Sequence, residues 1–199
     1  MPQSSAVVAR VVIAPTPRKD CVMQKILIAY ASKAGSTAEV AEFIAKVMRE
    51  AGAAVDVRPV RDVRDISAYQ GVLLGSAIRM GKVLPEVVNF AKTHAAALAH
   101  LPVAYFNVNM TLKDDTPENR TIVDAYLDPL RAICTPVSTA AFAGKMDYSR
   151  LGWLLRFFFS RSKGKEENPI PEGNWLDWEK IRTWALEVLP LLQAERLPA

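Results

Sequence analysis

The stretch Lys25-Ile26-Leu27-Ile28-Ala29-Tyr30-Ala31-Ser32-Lys33-Ala34-Gly35-Ser36-Thr37 decides the fold. Its first seven residues, KILIAYA, are a short, mostly apolar run of the kind that forms a buried strand. A loop of polar and small residues follows. Val40, Phe43, Ile44, Val47 and Met48 then fall at i, i+3, i+4, i+7 and i+8, one face of a helix, and Gly52 reads as its C-terminal cap. A strand, a small-residue turn and an immediate helix start leave free backbone N–H groups at the positive end of the helix dipole, which suits an anion. Ser32, Ser36 and Thr37 add hydroxyl donors, and Gly35 lets the backbone come close to a phosphate. An ordinary helix start also favours Ser and Thr, so the loop alone leaves both readings open.

Working outward, residues 54–58, 71–76, 103–109 and 136–143 read as four more strands. Residues 84–99 read as a helix with Pro85 in its first turn, where the missing N–H costs nothing. Residues 117–133 read as another helix. Trp178, Ile181, Ala185, Val188, Leu189 and Leu192 stripe a last one. Strands alternating with helices predict an α/β fold, a doubly wound five-stranded parallel sheet covered on both faces. Right-handed crossovers leave few topologies, and the order 2-1-3-4-5 is expected. It places a ligand crevice beyond the carboxyl ends of strands one and three.

Three competing phosphate chemistries lack their residues. No GxGxxG follows the first strand, and no GxxxxGK[ST] occurs anywhere. The third strand ends Gly75-Ser76-Ala77, where a phospho-receiver domain needs a carboxylate. The chain of 199 residues fits one domain, expected over 24–195. Residues 1–23 are expected to be a disordered extension. Their apolar part is broken by Arg10 and follows no basic run, which makes a poor signal peptide, and Met23 stands just before the first strand. Cys21 and Cys134 have neither disulfide nor metal spacing, so no metal is expected and a reducing, cytoplasmic setting is. Residues 93–112 carry no charge, but Pro102, Asn107, Asn109 and two histidines interrupt them, so they read as a helix end and a buried strand.

The net charge of +4 is local. Between Lys145 and Lys165 stand six basic residues against one acid, Asp147. Within this insertion, 145–174, Leu151, Leu154, Leu155 and Phe158 form one helical face, widened by Trp153 and Phe157 and framed by Arg150, Arg156 and Arg161. A basic amphipathic helix from Leu151 to Phe159 suits an anionic membrane surface. Packing on the core or docking to a partner helix is the alternative. A nucleic-acid partner is not expected.

The strand and loop through Thr37 resemble the phosphate-binding signature of the flavodoxins, which implies FMN. The segment Gly75-Ser76-Ala77-Ile78-Arg79-Met80-Gly81-Lys82 resembles the loop after strand three in the menaquinone-dependent protoporphyrinogen dehydrogenases, and Val108-Asn109 resembles their loop after strand four. Tyr148-Ser149-Arg150-Leu151-Gly152-Trp153, and Asp177-Trp178-Glu179 opening the last helix, match the same family. The chain departs from it in lacking an aromatic residue near Met80 and in reading Lys163-Gly164-Lys165-Glu166-Glu167-Asn168-Pro169 after the insertion.

The resemblance implies that Ser32, Lys33, Ala34, Gly35, Ser36 and Thr37 hold the FMN phosphate. It also implies that Ser76, Ala77, Ile78, Arg79, Met80, Gly81, Asn107, Val108 and Asn109 flank the flavin ring, with Met80 and Met110 as soft packing residues. Arg79 near the ring would favour anionic reduced flavin and hence two-electron chemistry. His94 and His100 read as structural or exposed rather than as acid–base groups, which leaves the reaction centred on the flavin. The implied activity is an FMN-dependent dehydrogenase taking a porphyrinogen-type substrate and passing electrons to a quinone, peripheral on the inner face of the cell membrane. A soluble flavodoxin-type electron carrier and an NAD(P)H:quinone reductase are the alternatives.

Overall fold

The computed structural model describes residues 25–146 and 173–194. The extension 1–23 and the amphipathic helix expected between Leu151 and Phe159 lie outside these residues. The strands are β1 (Lys25–Ala31), β2 (Ala54–Pro59), β3 (Tyr69–Arg79), β4 (Lys82–Val83), β5 (Val103–Asn109), β6 (Ser138–Ala143), β7 (Lys145–Met146) and β8 (Gly173–Asn174). The helices are α1 (Ser36–Glu50), α2 (Pro85–Thr93), α3 (Ala95–Leu98), α4 (Pro117–Ala125), α5 (Asp128–Arg131) and α6 (Trp178–Gln193).

The main sheet runs β2-β1-β3-β5-β6, every neighbouring pair parallel. Counted along its five parallel strands this is the expected order 2-1-3-4-5. β1 is buried on both faces: Ile26 and Ile28 enter one core with α1 and α6, and Leu27 and Ala29 enter the other with α2. Strand alternation thus splits one apolar run between two helical layers. α1 buries Val40, Ile44, Val47 and Met48 on the first core. Its end is tied by bonds from Gly52 N–H to the Arg49 carbonyl and from Ala53 N–H to the Met48 carbonyl, a Schellman closure.

The structure corrects three element boundaries. β3 runs on past Ser76 to Arg79 and folds back antiparallel as β4, so the expected loop is largely a hairpin. Its turn, Met80-Gly81, has φ of 51° and 71°, the left-handed pair that two-residue hairpins need. The helix expected over 84–99 breaks at His94, which has φ −102° and ψ 14° and whose ring lies 4.5 Å from Phe90. The helix expected over 117–133 breaks before α5, where Pro129 has no N–H to offer the Ala125 carbonyl.

β3 and β5 meet where Gly75 faces Phe106. A Cβ on Gly75 would stand 2.2 Å from the Phe106 ring, and that ring is fully buried. Gly75→Ala is therefore expected to lower stability by roughly 1–3 kcal/mol through overpacking. Urea denaturation checks this: the midpoint should fall with the slope unchanged.

Candidate cofactor site

Three strand ends bring the site together. Ala31 of β1 is in register with Ser76 of β3, and Ser76 and Ala77 are in register with Asn107 and Val108 of β5. The segments 32–37, 76–81 and 107–109 therefore open side by side at the carboxyl edge of the sheet, as the topology predicts.

Gly35 stands immediately before α1 with φ 96°, a left-handed turn that favours glycine, and no side chain caps the helix. Ser32 Oγ accepts a bond from Gly35 N–H at 3.0 Å and so pins the turn. Thr37 is 1% exposed, and its hydroxyl has no hydrogen-bond partner among the described residues. A buried hydroxyl without a partner costs about 1–3 kcal/mol, and an oxyanion held at the helix start would relieve that cost. This orphaned group, beside an uncapped helix N-terminus, is what a phosphate fits.

Other side chains of the loop are engaged. Ser36 Oγ donates to the Lys145 carbonyl at 3.2 Å, tying the loop to β7. Lys33 pairs with Glu86 at the start of α2 at 2.5 Å, and this ammonium holds the Glu86 carboxyl below its ordinary range. Lys145 Nζ donates to both oxygens of Glu39, at 2.7 and 2.8 Å. It thereby offsets a carboxylate in the first turn of α1, where a bound phosphate would otherwise be repelled.

The side chains of several residues expected at the ring are bonded within the protein, which leaves their backbone groups for a ligand. Ser76 is fully buried; its hydroxyl donates to the Ala77 carbonyl and accepts from Leu84 N–H. Asn107 donates to the Val123 carbonyl. Asn109 donates to Asn107 Oδ1 at 2.8 Å, and its own Oδ1 accepts from Leu112 N–H at 2.9 Å. Val108 is buried as well. Ala77 and Ile78 are half-buried, while Arg79, Met80 and Gly81 are exposed on the hairpin.

The sequence reading missed the pairs Lys33–Glu86 and Glu39–Lys145 beside the loop, since their partners stand 53 and 106 residues apart and no local motif joins them. It also missed Tyr126, whose hydroxyl lies 3.3 Å from Thr111 Oγ1. Asp115, just beyond the 111–113 turn, is held down at about 2, chiefly by hydrogen bonds from Arg120 and then by Lys180. The pairing stabilises above the ordinary carboxyl range and is lost only as pH falls towards that value. His94 and His100 follow α2 as it runs away from the site, at the opposite edge of the sheet.

Thr37→Val keeps the side-chain shape and removes the orphaned hydroxyl. It is expected to weaken FMN by about 1–1.5 kcal/mol while leaving riboflavin, which has no phosphate, unaffected. The cofactor-free chain should be no less stable than wild type. Fluorescence titration with both flavins and a thermal melt check the two halves.

Comparison with known proteins identifies the family of this fold. The family model "Flavodoxin domain" matches residues 27–169. Protoporphyrinogen IX dehydrogenase [quinone] of Escherichia coli is 28% identical over 175 residues, covering 84% of this chain and 96% of that protein. The protein of the same name from Leishmania major is 28% identical over 178 residues, covering 84% and 76%. An NAD(P)H dehydrogenase (quinone) from Methylocella silvestris is 28% identical over 90 residues, covering 34% and 45%. Among solved structures, an archaeal flavodoxin superposes with a TM-score of 0.53 at 16% identity, covering 86% of this chain and 100% of that one. The chain belongs to the flavodoxin domain family, and its cofactor is FMN.

Proposed function

We propose that the protein is an FMN-dependent, quinone-linked dehydrogenase that oxidises protoporphyrinogen IX or a related porphyrinogen and passes the electrons to a membrane quinone. The observation that carries this reading is the extent of the likeness to the Escherichia coli protein. It takes in 84% of this chain and 96% of that relative, whereas the likeness to the NAD(P)H dehydrogenase takes in 34% of this chain and 45% of that one.

Bound FMN supplies two-electron transfer between substrate and quinone. The backbone of 32–37 and the Thr37 hydroxyl hold its phosphate. The backbone of 76–81 and 107–109 holds the polar edge of the ring, because the side chains of Ser76, Asn107 and Asn109 are already spent on the fold. Neither segment carries a carboxylate, and Arg79 brings positive charge. That balance favours a negatively charged reduced flavin and suits a dehydrogenase better than a low-potential carrier.

The domain spans 24–195, and its insertion, 145–174, is the part we assign to the membrane surface where the quinone is dissolved. The support is the sequence from Leu151 to Phe159 with Arg150, Arg156 and Arg161. Among the described residues no helix is long and apolar enough to cross a membrane. Partial burial of Leu154, Leu155 and Phe158 with three cations near anionic lipid amounts to several kcal/mol, at about 0.8 per CH₂ and about 1 per cation, enough for reversible attachment.

Two experiments test the reading. Under anaerobic conditions protoporphyrinogen IX should bleach the flavin absorbance, NADH and NADPH should not, and added quinone should restore it. Bleaching by a nicotinamide instead would make the protein an NAD(P)H:quinone reductase. In a sedimentation assay the protein should bind anionic vesicles, less so at high salt. Replacing Phe157, Phe158 and Phe159 by Ser should release it with FMN still bound. A variant that loses FMN or unfolds would place the segment in the core.

A further inference from the structure

The four residues Arg79-Met80-Gly81-Lys82 gather three features that each work against stability. Met80 holds a left-handed backbone with φ 51°, which strains a residue bearing a side chain, and that apolar side chain is 93% exposed. Arg79 and Lys82 are direct cross-strand partners in the β3–β4 hairpin. Like charges placed opposite each other in an antiparallel pair repel. Among the described residues neither cation has an ion-pair or side-chain hydrogen-bond partner. The cations around the rest of this edge are matched: Lys33 with Glu86, Lys113 with Asp114, Lys145 with Glu39, and Arg120 and Lys180 with Asp115. The fold gains little from the arrangement, since β4 is two residues long. Local costs that the scaffold does not need mark a site of contact with something else.

We infer that Arg79 and Lys82 form a clamp for the carboxylate of an apolar substrate, which lies against Met80 beside the cofactor. A carboxylate between the two cations turns one repulsion into two attractions. The Arg79 guanidinium offers a planar fork that matches a carboxylate, and Lys82 adds a point charge. The thioether of Met80 packs on an apolar surface without demanding one shape, which suits a puckered ring system. The clamp is distinct from the phosphate site, which is built from residues 32–37 on another loop. Its exposure suits a molecule that comes and goes rather than a resident cofactor. The inference rests on the function proposed above and deepens it: a porphyrinogen with carboxylate side chains on an apolar ring system has the required chemistry, and a quinone does not.

The test uses the FMN-saturated full chain and two fluorescent probes, protoporphyrin IX and its dimethyl ester. Wild type should bind the diacid more tightly than the ester, and the difference should shrink as salt is raised. The double variant Arg79→Gln/Lys82→Gln should lose roughly tenfold or more in affinity for the diacid, the scale of a lost contact to a charged group, and nothing for the ester. The exchange Arg79→Lys/Lys82→Arg should keep most of the affinity. The neutral variant should melt at the same temperature as wild type or higher, because the repulsion is gone. Turned over with protoporphyrinogen IX, the neutral variant should show a raised KM, and the single variant Lys82→Gln, which leaves Arg79 beside the flavin, should raise KM with a much smaller change in kcat. Equal binding of diacid and ester by wild type, undiminished diacid binding by the neutral variant, or no porphyrin binding at all overturns the clamp. Charge-dependent porphyrin binding without flavin reduction by protoporphyrinogen IX would sustain the clamp and sink the proposed reaction. Flavin reduction with an unchanged KM in the neutral variant would do the reverse.

Discussion

The site depends on where β1 ends. β1 is paired on both edges and buried on both faces, so its register cannot slip by one residue without exchanging the contents of the two cores. Beyond Ala31 the chain must leave the sheet and start α1 within a few residues. Gly35 makes that turn, and Ser32 takes up its N–H. The start of α1 is left without a side-chain cap, and the Thr37 hydroxyl without a partner among the described residues. The candidate anion site is thus a product of a strand that is fixed and a helix that begins uncapped.

The layered architecture was legible because a parallel sheet with both faces covered writes itself as continuous apolar runs, as in β1 and β5. The turn after β1 was legible for a related reason: Gly35 announces the left-handed backbone that starts α1. The hairpin was not, since Met80-Gly81 lacks the Asn-Gly or Asp-Gly pair that signals such a turn. Pro129 was in plain view as a helix breaker, and its consequence for α5 could have been drawn. The link between Glu39 and Lys145 spans 106 residues, and no local pattern encodes it.

The buried amides illustrate a different limit. Resemblance implies that Asn107 and Asn109 flank the ring, and both side chains are buried and bonded within the protein. They bind β5 to α4, to β6 and to the turn after Asn109. Networks of this kind hold a loop in one shape because every broken bond leaves a buried group unpaired. What these amides do is fix the shape of the strand end. The neighbouring aromatic cluster of Phe106, Phe142 and Trp184 does the same for α6, with the Trp184 indole donating to Ser138 Oγ at 3.0 Å.

β7 and β8 pair Lys145 with Asn174 and Met146 with Gly173, so the two ends of segment 147–172 sit side by side on a small antiparallel base. Ser36 and Glu39 fasten that base to α1. Such a base acts as a socket. Segments of other lengths and compositions could be exchanged there during evolution without disturbing the flavin scaffold, because the chain enters and leaves at one place. A common flavin-binding core could in this way be fitted with different attachments, and acquire different partners, through changes confined to one stretch of sequence.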